Sequence, residues 1–461
     1  MAILHAFALP HPPIAIPEIG RGEEKKIQNT LSAYDDVAKE IAVLKPDTII
    51  FITPHNIIYS DYFHISPGTS AKGSFSKFGA PEIQFDVKYD NILADEIIDL
   101  AEKSGLSAGP LGEKDAELDH GVMVPMYFIN RRYKDYQIVR ISQSGMDPES
   151  HYKLGQCIAE ASKKSKRDTV LIASGDLSHK LTESGPYGFA REGAEFDKIV
   201  TDAFSSADFL TLFNITDDLR ESAAECGYNS LMVLAGCLDR HDVKSKLLSY
   251  EGPFGVGYAI ASFLKGRQDD GRRFLDQHTE LVLEDARESQ NSEDYYCQLA
   301  RRSLEFTVEN DKDLPLPKNL PEELTGKKAG VFVSIHKEGH LRGCVGTIAS
   351  TTENIALEII QNAVSAGLYD NRFEPVEASE LPFLTYKVDV LSQPETVSGP
   401  EELDVKKYGV IVTSGYKRGL LLPDLEGIDT VEEQISIARK KGDIPDSADI
   451  TLERFEVVRH G

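Results

Sequence analysis

Three short apolar runs early in the chain each stop at a histidine, and this repetition constrains the fold more than any other feature. Ile3 to Leu9 is apolar apart from His5 and ends at Pro10-His11-Pro12-Pro13. Thr48-Ile49-Ile50-Phe51-Ile52-Thr53 ends at Pro54-His55-Asn56, and Thr169-Val170-Leu171-Ile172-Ala173 runs into Ser174-Gly175-Asp176-Leu177-Ser178-His179. Apolar, β-branched runs of this length between turn and charged residues read as buried strands. In an open α/β sheet, ligands sit outside the carboxyl ends of the strands. The pattern therefore predicts one site, rich in imidazole, at one edge of one sheet.

The intervening sequence supplies helices for such a sheet. Leu31, Tyr34, Val37, Ala38, Ile41 and Ala42 make an apolar stripe over 27–44, which Pro46 ends. Strand, helix and strand then imply a parallel pair with a right-handed crossover. Residues 56–90 read as a loop or hairpin excursion, 91–104 and 221–238 as helices, and 256–264 as a closing strand. A length of 461 residues exceeds one ordinary core. The expected organisation is a first domain over 1–265, a charged linker over 266–293 and a second domain over 294–461. The fold class expected is α/β, a mainly parallel sheet flanked by helices, followed by a smaller α+β domain. No internal repeat is visible in the sequence.

A net charge of −25 argues against nucleic acid or an anionic membrane surface as the partner. No apolar run approaches a membrane span, and the N-terminus shows no basic region or cleavage site of a signal peptide. The cysteines at 157, 226, 237, 297 and 344 form no close pair, which fits a reducing cytoplasm. The sequence leaves open a homo-oligomer.

Two neutral imidazoles and a carboxylate on one face of a metal form the ligand set of non-haem Fe(II) oxygenases. His11 and His55, each beside prolines, supply the imidazoles. Glu225 is the leading carboxylate, although Ser222-x-x-Glu225 also matches a helix capping box. Cys226, as a thiolate, is the alternative third ligand. His120 and His179 remain to move protons, because an imidazole titrates near neutrality. His5, His64, His151 and His241 read as structural.

Leu9-Pro10-His11-Pro12-Pro13, Thr53-Pro54-His55, Asp119-His120-Gly121-x-x-x-Pro125 and Ser174-Gly175-Asp176-Leu177-Ser178-His179 together resemble the class III extradiol ring-cleavage dioxygenases, the LigB-like enzymes. The resemblance implies Fe(II), or another divalent ion such as Zn, on His11, His55 and Glu225. It further implies acid–base roles for His120 and His179, and a small aromatic substrate of the catechol or 2-aminophenol type. The Memo proteins share the fold, and their Cys-Gly element resembles Cys226-Gly227, so a non-dioxygenase or redox role is the alternative. Gly339-His340-Leu341-Arg342-Gly343-Cys344-Val345-Gly346, Asp370-Asn371-Arg372-Phe373 and Arg418-Gly419-Leu420-Leu421-Leu422-Pro423 resemble the AMMECR domain. Together the two halves are similar to one component of the AmmeMemoRadiSam set, which implies Memo-like and radical SAM partners. A protein-interaction scaffold is the third reading. Cys344 is either a nucleophile or a buried small residue in a tight crossing, and the second is favoured. Arg342, Arg372 and Arg418 either bind an anion or pair with carboxylates of the chain.

Overall fold

A computed structural model describes residues 3–112, 117–425 and 427–461. The chain divides into two compact units, Met1–His278 and Thr279–Gly461.

The first unit is built on a six-stranded sheet in the order Gln137–Ser142, Thr48–Thr53, Thr169–Ser174, Ile3–Leu9, Tyr258–Gln268, His241–Glu251. The first four strands run parallel, and the last two join antiparallel. Alternate residues face opposite sides. Ala6, Ala8, Ile50, Ile52, Leu171 and Ala173 enter one core, while Phe7, Leu9, Ile49, Phe51, Val170 and Ile172 enter another. Helices cover both faces, which explains the unbroken apolar runs.

One expectation about connectivity is corrected. Ile3–Leu9 and Thr48–Thr53 run in the same direction but are not neighbours, because Thr169–Ser174 pairs with both. All six residues of that late strand are buried, so it occupies the middle of the sheet. The consequence for the site is direct: the strands preceding His11, His55 and His179 lie side by side and parallel, with their carboxyl ends at one edge.

Helix Gln28–Leu44 and the hairpin Ser70–Phe75/Ala80–Lys88 lie where the sequence places a helix and an excursion. The single helix expected over 221–238 is instead two, Asp217–Ala223 and Tyr228–Cys237. Ala224 adopts a left-handed φ of 53° that ends the first, and Glu225-Cys226-Gly227 bridge to the second. Strand His241–Glu251 escapes sequence reading because its mixed burial gives no clear alternation. The charged stretch after it holds a long helix, Phe274–Ser292.

The second unit contains two four-stranded sheets. One has the order His340–Gly346, Gly330–Lys337, Leu384–Leu391, Val457–His460, and the other Glu395–Val397, Thr451–Phe455, Gly409–Ser414, Lys417–Leu421. A repeat missing from the sequence reading is present here as topology. The hairpin Gly330–Lys337/His340–Gly346, helix Ile355–Leu368 and strand Leu384–Leu391 follow one another. Hairpin Gly409–Ser414/Lys417–Leu421, helix Val431–Lys441 and strand Thr451–Phe455 follow in the same order. In each set the returning strand pairs with the first strand of the hairpin. In each, an Arg-Gly pair brings strand against helix: a Cβ on Gly343 would lie 2.1 Å from the Ala366 oxygen, and one on Gly419 would lie 1.9 Å from that of Ala438. Beyond these pairs the leading strands open alike, Gly330-Val331-Phe332-Val333-Ser334 against Gly409-Val410-Ile411-Val412-Thr413, a short match carried on strands of different length.

Those contacts also settle the second unit's motifs. Arg342 pairs with Glu380, Arg372 bidentately with Asp370, and Arg418 with Glu453. The arginines of the motifs are thus internal partners of carboxylates. Cys344 is half-buried in the strand, its N–H donating to Asp370 Oδ2 (2.9 Å) and its carbonyl accepting from Arg372 (3.1 Å).

Candidate metal centre

His11 follows the first strand, and its backbone N–H donates to Asp176 Oδ1 (2.8 Å). Its ring is placed by a chain of hydrogen bonds that starts in another helix. Asp119 caps helix His120–Ile129, accepting from Val122 N (3.3 Å) and from Thr53 Oγ1 (2.6 Å). Pro125, inside that helix, has no N–H to offer the carbonyl four residues before it. That carbonyl, of Gly121, accepts the hydroxyl of Ser174 instead (2.5 Å). With its proton so committed, Ser174 Oγ is the acceptor for His11 Nδ1–H (2.9 Å). The tautomer follows: Nε2 of His11 carries the lone pair, the state a metal ligand needs.

His11 Nε2 lies 2.9 Å from His55 Nε2 and 3.6 Å from Cys226 Sγ. His55 is held by Pro54 and by its N–H on Thr53 Oγ1 (3.3 Å). Donor atoms of His11, His55 and Cys226 all fall within 4.8 Å of one another. His120 stacks on His55 with ring centroids 4.1 Å apart. His179 donates Nδ1–H to the Ala224 carbonyl, leaving its Nε2 as the basic nitrogen. Phe78 meets His120 edge-on and Tyr187 meets His179 the same way.

Glu225, expected as the third ligand, is not among the donors that group within 4.8 Å of His11 and His55, and its carboxylate is engaged elsewhere. Its Oε1 accepts from Arg220 Nε (3.2 Å) and its Oε2 from Tyr228 N (2.7 Å), at the start of helix Tyr228–Cys237. A buried carboxylate with a cation and a helix N-terminus to satisfy is turned inward, while its neighbour Cys226 faces the imidazoles. Asp176 N–H donates to Cys226 Sγ (3.3 Å), and Gln143 Nε2 holds the Cys226 carbonyl (2.9 Å).

Electrostatics favour neutral donors. Burial lowers the His11 imidazole well below its ordinary pKa, and the neighbouring imidazoles lower it further. Desolvation, then His120 and His179, hold His55 down to about 4. His120 and His179 are also lowered by desolvation. Burial, with the charges of Asp176 and Glu225, raises the Cys226 thiol, and burial brings Asp176 up to about 7. Converging uncharged nitrogens with a thiol that a cation would deprotonate fit a soft or borderline divalent metal.

The loop bearing His179 has a buried anchor. Asp197 Oδ1 accepts from Ser178 N and Oδ2 from Tyr250 OH, both at 2.7 Å. Burial raises this carboxyl to about 7, against the pull of those donors. A folded pKa above the unfolded one gives stability that is present at low pH and lost as pH rises through 7. An Asp197→Asn protein should therefore gain on the wild type between pH 4 and 7, by on the order of a few kcal/mol. Urea denaturation of both proteins across that window checks it, and parallel pH profiles would refute it.

Residues 5–261 match the model of the catalytic LigB subunit of aromatic ring-opening dioxygenase. The chain belongs to the LigB family. Residues 297–460 match AMMECR1, so the chain carries a LigB unit followed by an AMMECR unit. The protein CA_C1420 of Clostridium acetobutylicum is 43% identical over 100% of this chain and 99% of its own length. A Thermotoga maritima protein is 49% identical over 36% of this chain and 96% of its own. The crystal structure of uncharacterized protein PH0010 from Pyrococcus horikoshii covers 36% of this chain and 88% of that chain, at 30% identity and a TM-score of 0.33. Membership places the LigB unit in a ring-cleavage dioxygenase-like superfamily. Among the described residues no helix is long and apolar enough to cross a membrane.

Ser174, Thr53, Gln143 and Pro125 are the supporting residues that sequence reasoning left without a role. Three of them sit within or beside the quoted motifs, which was the available signal; Gln143 gave none.

Proposed function

We propose that the LigB unit is a metal-dependent oxidoreductase acting on a small phenolic substrate, its metal held by His11, His55 and Cys226. The convergence of these three donors, with the His11 tautomer already set, carries the reading. Fe(II) is the ion of choice, with Zn the alternative; a bound metal would supply Lewis acidity toward a phenolic oxygen and, as iron, one-electron chemistry. His179 Nε2 takes the substrate's hydroxyl proton, because its other nitrogen is committed to Ala224. His120, stacked on His55, returns a proton to the product. Phe78 and Tyr187, each in edge contact with one of these two imidazoles, add aromatic surroundings that suit a planar ring of the catechol or 2-aminophenol type.

Cys226 favours a second reading. A thiolate in place of the facial carboxylate suits a Memo-like redox role without ring opening, alongside Memo-like and radical SAM partners. Free thiols at all five cysteines accord with a reducing, cytoplasmic setting. One experiment separates the two. Anaerobically purified full-length protein is loaded with Fe(II), and ring opening of catechols and 2-aminophenols is followed by absorbance with oxygen uptake. His179→Ala should keep the metal and lose turnover by ~10²-fold or more. Redox cycling of the metal without ring opening would select the second reading, and loss of metal from His179→Ala would make that residue a ligand.

A further inference from the structure

The segment between helices Asp217–Ala223 and Tyr228–Cys237 touches both halves of the proposed chemistry. The Ala223 carbonyl accepts from His179 N (3.0 Å) and Ser178 Oγ (3.0 Å), and the Ala224 carbonyl accepts from His179 Nδ1. Two residues on, Cys226 N donates to the Asp176 carbonyl (3.4 Å) while Asp176 N donates to Cys226 Sγ (3.3 Å). The backbones close to the limit here: a Cβ on Gly175 would lie 2.1 Å from Gly227 Cα. One short loop thus fixes the tautomer of His179 and the position of the thiol.

Glu225 lies between these two contacts and points the other way. It binds Arg220 Nε and Tyr228 N, and its side chain is 6% exposed against 19% for Arg220. Arg220 in turn lies over the Tyr228 ring at 4.2 Å and donates to Asn229 Oδ1 (3.3 Å) and to Asp217. The guanidinium therefore ties both flanking helices to the carboxylate in the middle of the loop. We infer that Glu225, through Arg220, is a positioning residue that couples the metal-facing thiol of Cys226 to the proton-accepting nitrogen of His179. The inference rests on Cys226 being a ligand. It differs from a plain helix cap, which would steady Tyr228–Cys237 and leave His179 unaffected.

The test uses full-length protein and Co(II) alone as probe. Metal-free protein labelled with ¹⁵N-histidine reports the His179 tautomer by NMR, and Co(II) titration reports affinity and the thiolate-to-metal absorption. Glu225→Gln keeps an acceptor for Tyr228 N and loses the ion pair. It should still bind one Co(II) with the sulfur band, about 10- to 100-fold more weakly. Its His179 should leave the single Nδ1–H form for a mixture of tautomers. Arg220→Gln should show the same pair of changes, which guards against a folding defect peculiar to one variant. An unaltered His179 tautomer in both variants would overturn the coupling. So would complete loss of Co(II) from Glu225→Gln with His179 unaltered, since that behaviour belongs to a ligand. Cys226→Ser tests the underlying assignment separately: it should lose the sulfur band and keep the His179 tautomer. A sulfur band that persists in that variant would remove Cys226 from the metal, whatever Glu225 does.

Discussion

A protein carrying both His11→Ala and His55→Ala should hold no stoichiometric Fe(II) or Co(II) while keeping its fold. The two Nε2 atoms lie 2.9 Å apart, and among the described residues Cys226 completes the cluster. Changing an outer-shell partner of a metal ligand typically weakens binding by about 10- to 100-fold. Removing two of three donors should exceed that range. Each single variant should show a large part of the loss, since a thiol with one imidazole does not reproduce the set. His11 is buried and His55 borders solvent, so the second is the gentler change. Anaerobic metal analysis with far-UV circular dichroism checks both halves of the expectation. Full metal retention in the double variant would place the site elsewhere.

Glu358→Ala should damage the AMMECR unit more than any exposed substitution, by about 3 kcal/mol or more. Glu358 is fully buried on helix Ile355–Leu368. Its carboxylate accepts from the hydroxyls of Thr347, Ser350, Thr351 and Thr352 and from the backbone N–H groups of Thr351 and Thr352. It is the peg on which the loop after the Leu-Arg-Gly-Cys strand is wound. Truncation leaves several buried donors without an acceptor, which costs far more than one lost hydrogen bond. Burial raises the carboxyl's pKa, but the Thr347, Thr352 and Thr351 donors outweigh it and hold the group below its ordinary value. A lowered folded pKa means that this stabilisation is present at neutral pH. It is lost as acid titrates the group through its folded value. Glu358→Gln should retain part of it and lose the acid dependence. Denaturation combined with hydrogen exchange over 347–358 reads the effect, and protection equal to the wild type in Glu358→Ala would refute it.

The parts of the molecule legible from sequence are those written in short periods. Apolar strands ending in histidine mark a sheet edge because strand burial and strand-end turns leave local signals, and His11 and His55 meet where that pattern places them. What escaped depends on contacts made across the chain. Strand Thr169–Ser174 inserts between two earlier strands, an order that no local pattern encodes. Glu225 offers the same letters for a ligand and for a cap, and the difference lies in Arg220 drawing the carboxylate inward. Asp119, His120 and Gly121 were recognised as a motif, yet the reason for the proline four residues after the glycine shows only once Ser174 is seen above it. The repeated hairpin, helix and strand of the AMMECR unit share a Gly-Val-x-Val opening and an Arg-Gly pair, but at spacings that differ between the two copies, so the repeat registers in topology before it registers in sequence.

That proline makes a gap in one element serve as an address for another. A helix that bonded fully along its axis would engage the Gly121 carbonyl with its own next turn. Here the helix yields that carbonyl to Ser174 on a central strand, and through it fixes the proton of His11, just past the neighbouring strand. Three segments far apart in the chain are thereby bound into a single instruction, and the readiness of one imidazole for a metal is inherited from the missing N–H of a proline in another segment. Following each proton to its acceptor, from His11 to Ser174 and from Ser174 to the Gly121 carbonyl, arrives in two steps at a group that Pro125 leaves free.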